Sequence, residues 1–165
     1  MSGRENALVI RRLTRLEPPQ LEALVEYGRS ALGESALDAW LLPVIAGHGR
    51  LYVAEVGGAN EGGAGGEIVG AAEVIRCFEE GDLYLEGIYI RPEFQRQGHG
   101  SELLKGVMEL LAAEGYSRLL ATVDPENGAG LGLYEKAGFT GNGHQLDYYG
   151  PGRHRLMLAV HLASP

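Results

Sequence analysis

A short glycine-rich segment, Gln95-Arg96-Gln97-Gly98-His99-Gly100, lies between a predicted strand and a predicted helix. Its glycines remove side chains where the helix starts, and the first amides of a helix have no partner within that helix. Such amides and the helix dipole attract anions, and Arg96 adds a positive charge. The segment therefore predicts a pyrophosphate site, although two glycines alone would fit an ordinary strand–helix turn equally well.

Two other phosphate-binding patterns can be tested against the sequence, and both fail. A dinucleotide fingerprint requires a glycine three residues after Gly100, but Leu103 occupies that position. The segment from Gly28 to Ser35 has the spacing of a P-loop, but Glu34 replaces the lysine and no strand precedes it. The segment at Gly98 and Gly100 remains the candidate anion site.

A second motif follows the first along the chain. Asn127 precedes the run Leu133-Tyr134-Glu135-Lys136-Ala137-Gly138-Phe139. Gln95-x-x-Gly98-x-Gly100 resembles motif A of the GNAT superfamily of N-acetyltransferases, and the later segment resembles motif B of that superfamily. The resemblance covers essentially the whole chain and is most specific over residues 83–139. The two motifs occur in the right order and on the right predicted elements, which makes their combination specific.

The resemblance implies acetyl-CoA as the cosubstrate, with the cofactor-binding residues drawn from both motifs. The strand before motif A would pair with the pantetheine arm as an extra strand would, and Asn127 would contact the cofactor near that arm. Tyr134 matches the general acid of the family, because a phenol is protonated at neutral pH and can give its proton to the departing thiolate. The implied cofactor-binding residues are Ile88, Tyr89, Ile90, Gln95, Arg96, Gln97, Gly98, His99, Gly100, Ser101, Asn127 and Tyr134.

The reaction also needs a base, because an alkylammonium must lose a proton before it can attack a thioester. Glu86 lies in an apolar strand just before the cofactor-pairing segment and resembles the base of polyamine-type members. A glutamate that only solubilises the strand is the alternative. A backbone N–H at Ile88 could stabilise the oxyanion.

Neither of two subfamily patterns fits completely. The Gln95–Gly98 segment, Tyr134 and the turn at 148–151 resemble ribosomal-protein alanine acetyltransferases, but those enzymes carry a glutamate where this chain has Thr122. The polyamine pattern tends to have an acidic residue where this chain has Gly87. The base is therefore Glu86 or an ordered water. Trp40, Leu41 and Leu42, and Tyr148 with Tyr149, are candidate walls of the amine pocket or ordinary packing residues.

The preferred function is acetyl transfer from acetyl-CoA to the primary amine of a small molecule by direct attack. A protein N-terminal or lysine acetyltransferase is one alternative, and a non-catalytic acyl-CoA-binding regulatory module is another. Cys77 is the only cysteine, and the five histidines show no metal-ligand spacing, so neither a cysteine cluster nor a zinc site is expected.

Composition agrees with a small acidic enzyme. The chain has 165 residues, a formal net charge of −8 and a pI of about 5.1, which argues against a nucleic-acid partner. No apolar run approaches the ~20 residues of a membrane span, and no signal-peptide core is seen. We therefore expect one domain over residues 1–165, a cytoplasmic location and no membrane partner. A homodimer is left open.

The elements that must position these residues follow from hydrophobic periodicity. Strands are predicted at 7–13, 51–56, 68–78, 82–91 and 117–123, and helices from 18, at 36–45, 98–114 and 127–137. Residues 146–149 and 155–162 are predicted as a closing antiparallel pair, and Gly57–Gly66 as a flexible loop. Within 82–91, Leu83, Leu85, Gly87 and Tyr89 should share one face.

The order β-α-α-β-β-β-α-β-α-β-β predicts an α/β fold. Hairpins imply antiparallel neighbours, and the central strand–helix–strand unit implies a parallel pair. We expect a mixed, mostly antiparallel sheet of about six or seven strands with helices on both faces. The GNAT resemblance implies that the parallel central pair is splayed.

Overall fold

A single mixed sheet organises the computed structural model, which describes residues 7–57, 65–78 and 82–163. It has seven strands in the order β1-β2-β3-β4-β5-β7-β6. All neighbouring strands are antiparallel except the central pair, β4 and β5. The strands are β1 (Val9–Leu13), β2 (Arg50–Val56), β3 (Glu67–Arg76), β4 (Leu83–Ile90), β5 (Arg118–Val123), β6 (Thr140–Gln145) and β7 (Arg155–His161).

Helices cover both faces of the sheet, as predicted. They are α1 (Pro18–Leu32), α2 (Leu41–His48), α3 (His99–Ala113) and α4 (Gly128–Lys136). Alternate residues of β2 enter different cores: Leu51 and Val53 pack with α1 and α2, whereas Tyr52 and Ala54 pack with α3 and α4. This period of two is what a strand buried on both faces produces. The predicted fold class is confirmed.

A β-bulge interrupts the pairing of β3 with β4. Glu73 pairs with Gly87, but the next residue, Val74, pairs with Leu85, so Glu86 is the extra residue. A bulge places two successive residues on the same face. The predicted strict alternation along β4 is therefore wrong: Ile88 returns to the α3 face with Leu85, while Glu86 and Gly87 both face the side of α1.

The parallel pair is short. β4 and β5 are in register only from Leu83, opposite Leu119, to Leu85, opposite Ala121. Beyond that point the described part of β4 has no strand partner on this side. The bulge and this early separation coincide, so β4 separates from β5 directly after Leu85 while it stays paired with β3.

Two elements lie elsewhere than predicted. The second helix begins at Leu41 rather than at residue 36, because Asp38 Oδ1 accepts hydrogen bonds from the amides of Trp40 and Leu41, both at 3.0 Å. An aspartate in this role is a usual helix start. The preceding chain is a short 3₁₀ helix, Gly33–Ser35. The predicted start of the second helix was wrong because the apolar residues after 36 also have a spacing compatible with a helix.

The strand predicted at 146–149 is wrong. The edge strand is instead Thr140–Gln145, which is polar and exposed throughout. Residues 146–152 form a turn, because Asp147 has φ 52° and its Oδ1 accepts a hydrogen bond from the Gly152 amide at 2.7 Å. An exposed edge strand needs no apolar alternation, so hydrophobicity could not find it.

Most of the predicted flexible loop, Gly57–Gly66, lies outside the described residues.

Within the residues that are described, none of the helices has the length and apolar character required to cross a bilayer.

Candidate active site

Two cavities meet where β4 separates from β5. The first, here called the loop groove, has a volume of about 690 Å³ and runs along Ile88–Ile90, the 95–101 loop and the start of α4. The second, the splay pocket, has a volume of about 810 Å³ and lies between β4, β5, the 33–35 turn and the 146–153 turn. They share the lining residues Leu32, Ile88, Asn127, Gly130 and Leu133. A reactant in each cavity could therefore meet at the split in the sheet.

The 95–101 loop presents free backbone amides to the loop groove. The first bond of α3 runs from the Glu102 amide to Gly98 O at 3.1 Å, so the amides of residues 99–101 have no partner inside the helix. Gly98 has φ 87° and Arg96 has φ 60°, left-handed conformations that turn the chain around this helix start. Gln95 fixes the loop to β4 by donating from Nε2 to Ile90 O at 2.9 Å.

Most of the predicted cofactor-binding residues line the loop groove. They are Ile88, Tyr89, Ile90, Gln95, Arg96, Gly98, His99, Gly100, Ser101 and Asn127. Gln97 is an exposed residue of the same loop and is not part of the lining, and Tyr134 lies in the splay pocket. The side chain of Asn127 also caps α4, because its Oδ1 accepts from the Gly130 amide at 2.9 Å. Asn127 thus has a structural task in addition to its place in both cavities.

Glu86 lies in the splay pocket beside the junction with the loop groove. The bulge turns its side chain toward this pocket and leaves it half-buried. Burial raises the pKa of its carboxyl group above the ordinary value. A carboxylate with raised proton affinity, facing a cavity, can accept a proton from a bound group.

A second carboxyl group, that of Glu73 on β3, lies against Gly87, the residue that follows Glu86. Glu73 is only 4% exposed, and its Oε2 has no hydrogen-bond partner among the described residues. Burial, followed by the charge of Glu86, raises the pKa of Glu73 to about 8. The sequence interpretation missed this residue, although a glutamate inside the apolar run from Ile68 to Ile75 was a visible signal.

Tyr134 of α4 lines the splay pocket from the opposite side. Its ring is buried against Phe139 in an edge-to-face contact with centroids 5.1 Å apart. Burial raises the pKa of its phenol to about 12. The group therefore keeps its proton at neutral pH and can donate it to an anion that forms beside it.

Three hydroxyl groups lie close together at the β5 side of the splay pocket, and two of them, those of Thr122 and Tyr149, belong to lining residues. Tyr84 Oη lies 3.0 Å from Thr122 Oγ1 and 3.5 Å from Tyr149 Oη. Tyr84 was not predicted as a site residue, and only strand pairing brings it to Thr122. Of the suggested pocket walls, Tyr149 lines the pocket, whereas Trp40 borders a separate surface cavity.

Charged side chains surround the mouth of the splay pocket. Arg153 Nη2 in the turn before β7 lies 3.6 Å from Glu34 Oε2, so two walls of the pocket meet there. Arg155 stacks over the Tyr149 ring at 4.9 Å and lies 3.4 Å from Asp124 Oδ2. Neither arginine is isolated, because each has an acidic neighbour. Across residues 7–57, 65–78 and 82–163, no group of three or more His, Cys, Asp or Glu side chains is arranged to hold a metal ion.

Comparisons with known proteins agree with this geometry. A model of the acetyltransferase (GNAT) family matches residues 11–139. The thialysine N-epsilon-acetyltransferase of Bos taurus is 39% identical over 57 residues, which are 34% of this chain and 34% of that protein. The ribosomal protein bS18-alanine N-acetyltransferase of Escherichia coli K12 is 35% identical over 65 residues, 39% of this chain and 44% of that protein. These matches span well under two thirds of either relative.

A solved structure shows the same fold over almost the whole chain. The Bacillus subtilis acetyltransferase in complex with CoA superimposes with a TM-score of 0.73 and 16% identity, covering 95% of this chain and 100% of that one. At this identity the likeness concerns the fold alone.

Proposed function

The chain belongs to the GNAT acetyltransferase family, and from this premise we propose that it transfers the acetyl group of acetyl-CoA to the primary amine of a small molecule by direct attack. The observation that carries the proposal is the junction of two cavities at the β4–β5 split. One cavity offers free helix-start amides, and the other contains Glu86 and Tyr134. An acyl donor and an amine therefore have separate places that meet at one point.

The loop groove fits the donor. The amides of residues 99–101 and the side chain of Arg96 would hold the pyrophosphate, and the free edge of β4 at Ile88–Ile90 would pair with the pantetheine arm. Bound acetyl-CoA supplies the acetyl group as a thioester. The amide of Ile88, close to the split, would donate a hydrogen bond to the carbonyl oxygen as negative charge develops there.

The splay pocket fits the amine. An alkylammonium, with a pKa of roughly 10.4, must lose a proton before it can attack, and Glu86 is placed to accept that proton. Tyr134 would then give its proton to the departing thiolate. The phenolate that this step leaves and the thiolate that it protonates are both anions that lose solvation in the same dry site, so burial raises the proton affinity of each.

A second candidate acceptor is the N-terminus or a lysine of a protein. It is favoured by the bS18-alanine acetyltransferase named above, which is 35% identical over the matched segment. The small-molecule acceptor is favoured by Thr122, which supplies a hydroxyl group where the alanine acetyltransferases that this chain resembles carry a glutamate.

The test is an acceptor screen with acetyl-CoA, read by thiol release and by mass spectrometry of the products. Small alkylamines, amino acids with side-chain amines, and peptides with free N-termini form the three arms. Acetylation confined to the first two arms supports the proposal, and acetylation confined to peptides supports the second candidate. CoA binding without thiol release above background in any arm would contradict catalysis and support a regulatory acyl-CoA-binding module.

Replacing Gly98 with valine is expected to raise the acetyl-CoA dissociation constant at least about tenfold, because a branched side chain would block close approach of the pyrophosphate to the amides. Isothermal titration calorimetry with CoA measures this change. Gly115→Val is the matched control. Gly115, at the other end of α3, has φ 91° against 87° for Gly98, and at both positions an added Cβ has no neighbour within 4 Å. Equal loss of affinity in both variants would contradict the assignment of the loop.

A further inference from the structure

The close contact between β3 and β4 at Gly87 connects a buried carboxyl group to the splay pocket. A Cβ at Gly87 would lie 2.4 Å from Oε2 of Glu73, so any other residue there would displace this carboxyl. Gly87 itself lines the splay pocket next to Glu86. The carboxyl group of Glu73 therefore lies against Gly87, directly beneath a residue that lines the pocket.

The position of this carboxyl group has no structural explanation in the described chain. Glu73 is 4% exposed, and its Oε2 has no hydrogen-bond partner there, which is a costly arrangement for a polar group. Glu55, the other buried glutamate, is equally buried at 4% but bonds Arg11 at 2.6 Å. Unlike Glu55, Glu73 therefore has a carboxyl oxygen that no described side chain neutralises.

Building on the proposed function, we propose that Glu73 is a positioning residue of the acceptor site: with Glu86 it forms a two-carboxyl receptor for the ammonium group of a cationic acceptor, in which only the glycine at position 87 separates Glu73 from the splay pocket. Glu86 contacts the ammonium group and takes its proton. Glu73 does not take the proton; it acts by attracting the ammonium group with its negative charge and by its effect on Glu86. The preferred substrate class that follows is an alkylamine that is positively charged at neutral pH, and an aromatic amine or another uncharged nucleophile would be a poorer acceptor.

The electrostatics of the pair support this division of labour. Two neighbouring carboxyls in a dry site do not ionise independently, and the more buried one keeps the proton. Burial and the charge of Glu86 raise the pKa of Glu73 to about 8, whereas burial alone raises that of Glu86, so Glu73 is the carboxyl that holds its proton more tightly. A bound cation favours the ionised form of both carboxyls and so lowers the proton affinity of Glu73.

Among the described residues, no cation contributes to the shifted pKa of Glu73. On β2 its partner is a leucine, Leu51, and the neighbouring Arg50 bonds Glu114 instead. The titratable groups nearest to it include Glu86 and Tyr89 on β4, with Tyr27 and Arg91 beside Tyr89, and the exposed His48 ends α2. Arg91 interacts with Tyr27, Glu67 and Glu93 instead. The first cation that this carboxyl pair meets would be the acceptor.

The experiment compares two acceptors, an alkylamine and an aromatic amine that is uncharged at the assay pH. For Glu73→Gln at about pH 9, we expect the Michaelis constant of the alkylamine to rise about tenfold, because one of two attracting charges is lost. The Michaelis constants of the aromatic amine and of acetyl-CoA should change less than about twofold. Gly87→Ala, which displaces the same carboxyl, should reproduce the pattern, and Glu55→Gln should not. An unchanged alkylamine constant in Glu73→Gln, or an equal rise for both amines, would overturn the proposal.

The Glu73→Gln variant should bind the alkylamine more weakly, but it should be more stable than the wild type at high pH. The folded pKa of Glu73 lies above its unfolded value, so the folded state binds the extra proton and loses stability as pH rises from about 4.5 to 8. Glu73→Gln removes this cost, so its melting temperature should exceed that of the wild type by more at about pH 9 than at about pH 5. Thermal unfolding followed by circular dichroism measures the difference. A gap that did not grow with pH would contradict ionisation of Glu73 in the folded protein.

The outcomes separate this inference from the proposed function. If the wild-type protein acetylates no amine in the screen, the proposed function fails before Glu73 is tested. If the wild type acetylates alkylamines and Glu73→Gln does so with the same Michaelis constant, only the role of Glu73 fails.

Discussion

Replacing Tyr134 with phenylalanine is expected to lower kcat about a hundredfold, the usual contribution of a general acid, and to change the Michaelis constant of acetyl-CoA less than about twofold. The phenol is buried, its pKa is raised to about 12, and it faces the splay pocket. Phenylalanine keeps the edge-to-face contact with Phe139 at 5.1 Å, so the change removes the proton donor without removing the packing.

Steady-state kinetics with a fixed amine and varied acetyl-CoA separate these two quantities. Tyr52→Phe is the matched control: Tyr52 is 1% exposed, its pKa is also raised to about 12, and it lies in β2, outside both cavities. The control should keep the wild-type kcat. A Tyr134→Phe variant with undiminished kcat would remove Tyr134 as the acid, and a large rise in the acetyl-CoA constant at normal kcat would make it a binding residue.

The fold could be predicted wherever hydrophobicity follows the periodicity of an element buried in the core. The buried strands around Leu51–Val56 and the apolar stripe of α3 were found for this reason. Thr140–Gln145 was missed because an exposed edge strand is held by backbone pairing with β7, which leaves no pattern in its side chains. The start of α2 depends on one capping contact at Asp38, which is a local detail that apolar spacing does not record.

The residues of the candidate site also differ in whether the sequence alone could predict them. The loop around Gly98 and the positions of Glu86 and Tyr134 could be predicted because contiguous sequence motifs carry them. Glu73 could not be connected to Glu86 from the sequence, since the connection depends on a bulge that shifts the register between β3 and β4. Tyr84 likewise reaches Thr122 only through the parallel pairing of β4 with β5. Contacts between strands that are distant in sequence depend on register, and a single extra residue changes which side chains share a face.

Replacing Glu86 with glutamine is expected to lower kcat/KM for an alkylamine by a factor of about 10² to 10³, because the amide has the shape of the carboxylate but cannot accept the proton of the ammonium. Side-chain burial is retained, so the fold and acetyl-CoA binding should persist. Glu109→Gln, at an exposed position of α3 where the side chain is 68% exposed, is the control for loss of one negative charge and should keep wild-type activity.

The pH dependence of the same variant identifies the base. A carboxyl base works only when ionised, so kcat/KM of the wild type should fall as pH decreases through the pKa of Glu86. Burial raises this pKa above the ordinary value, so the fall should occur at a higher pH than for an exposed glutamate. Glu86→Gln should lose this acidic limb along with the rate.

The size of the loss distinguishes direct proton transfer to Glu86 from transfer through a water. If Glu86 only orders a water that carries the proton away, glutamine can still hold that water by hydrogen bonding, and the loss in kcat/KM should be closer to tenfold. In either route, raising the pH should rescue the variant, because more of the amine would arrive already neutral. A rate that recovers toward wild type at high pH would show that the lost function is removal of the proton, directly or through the water. A loss that is the same at every pH would contradict its role as the base and leave it a residue that holds the amine in place.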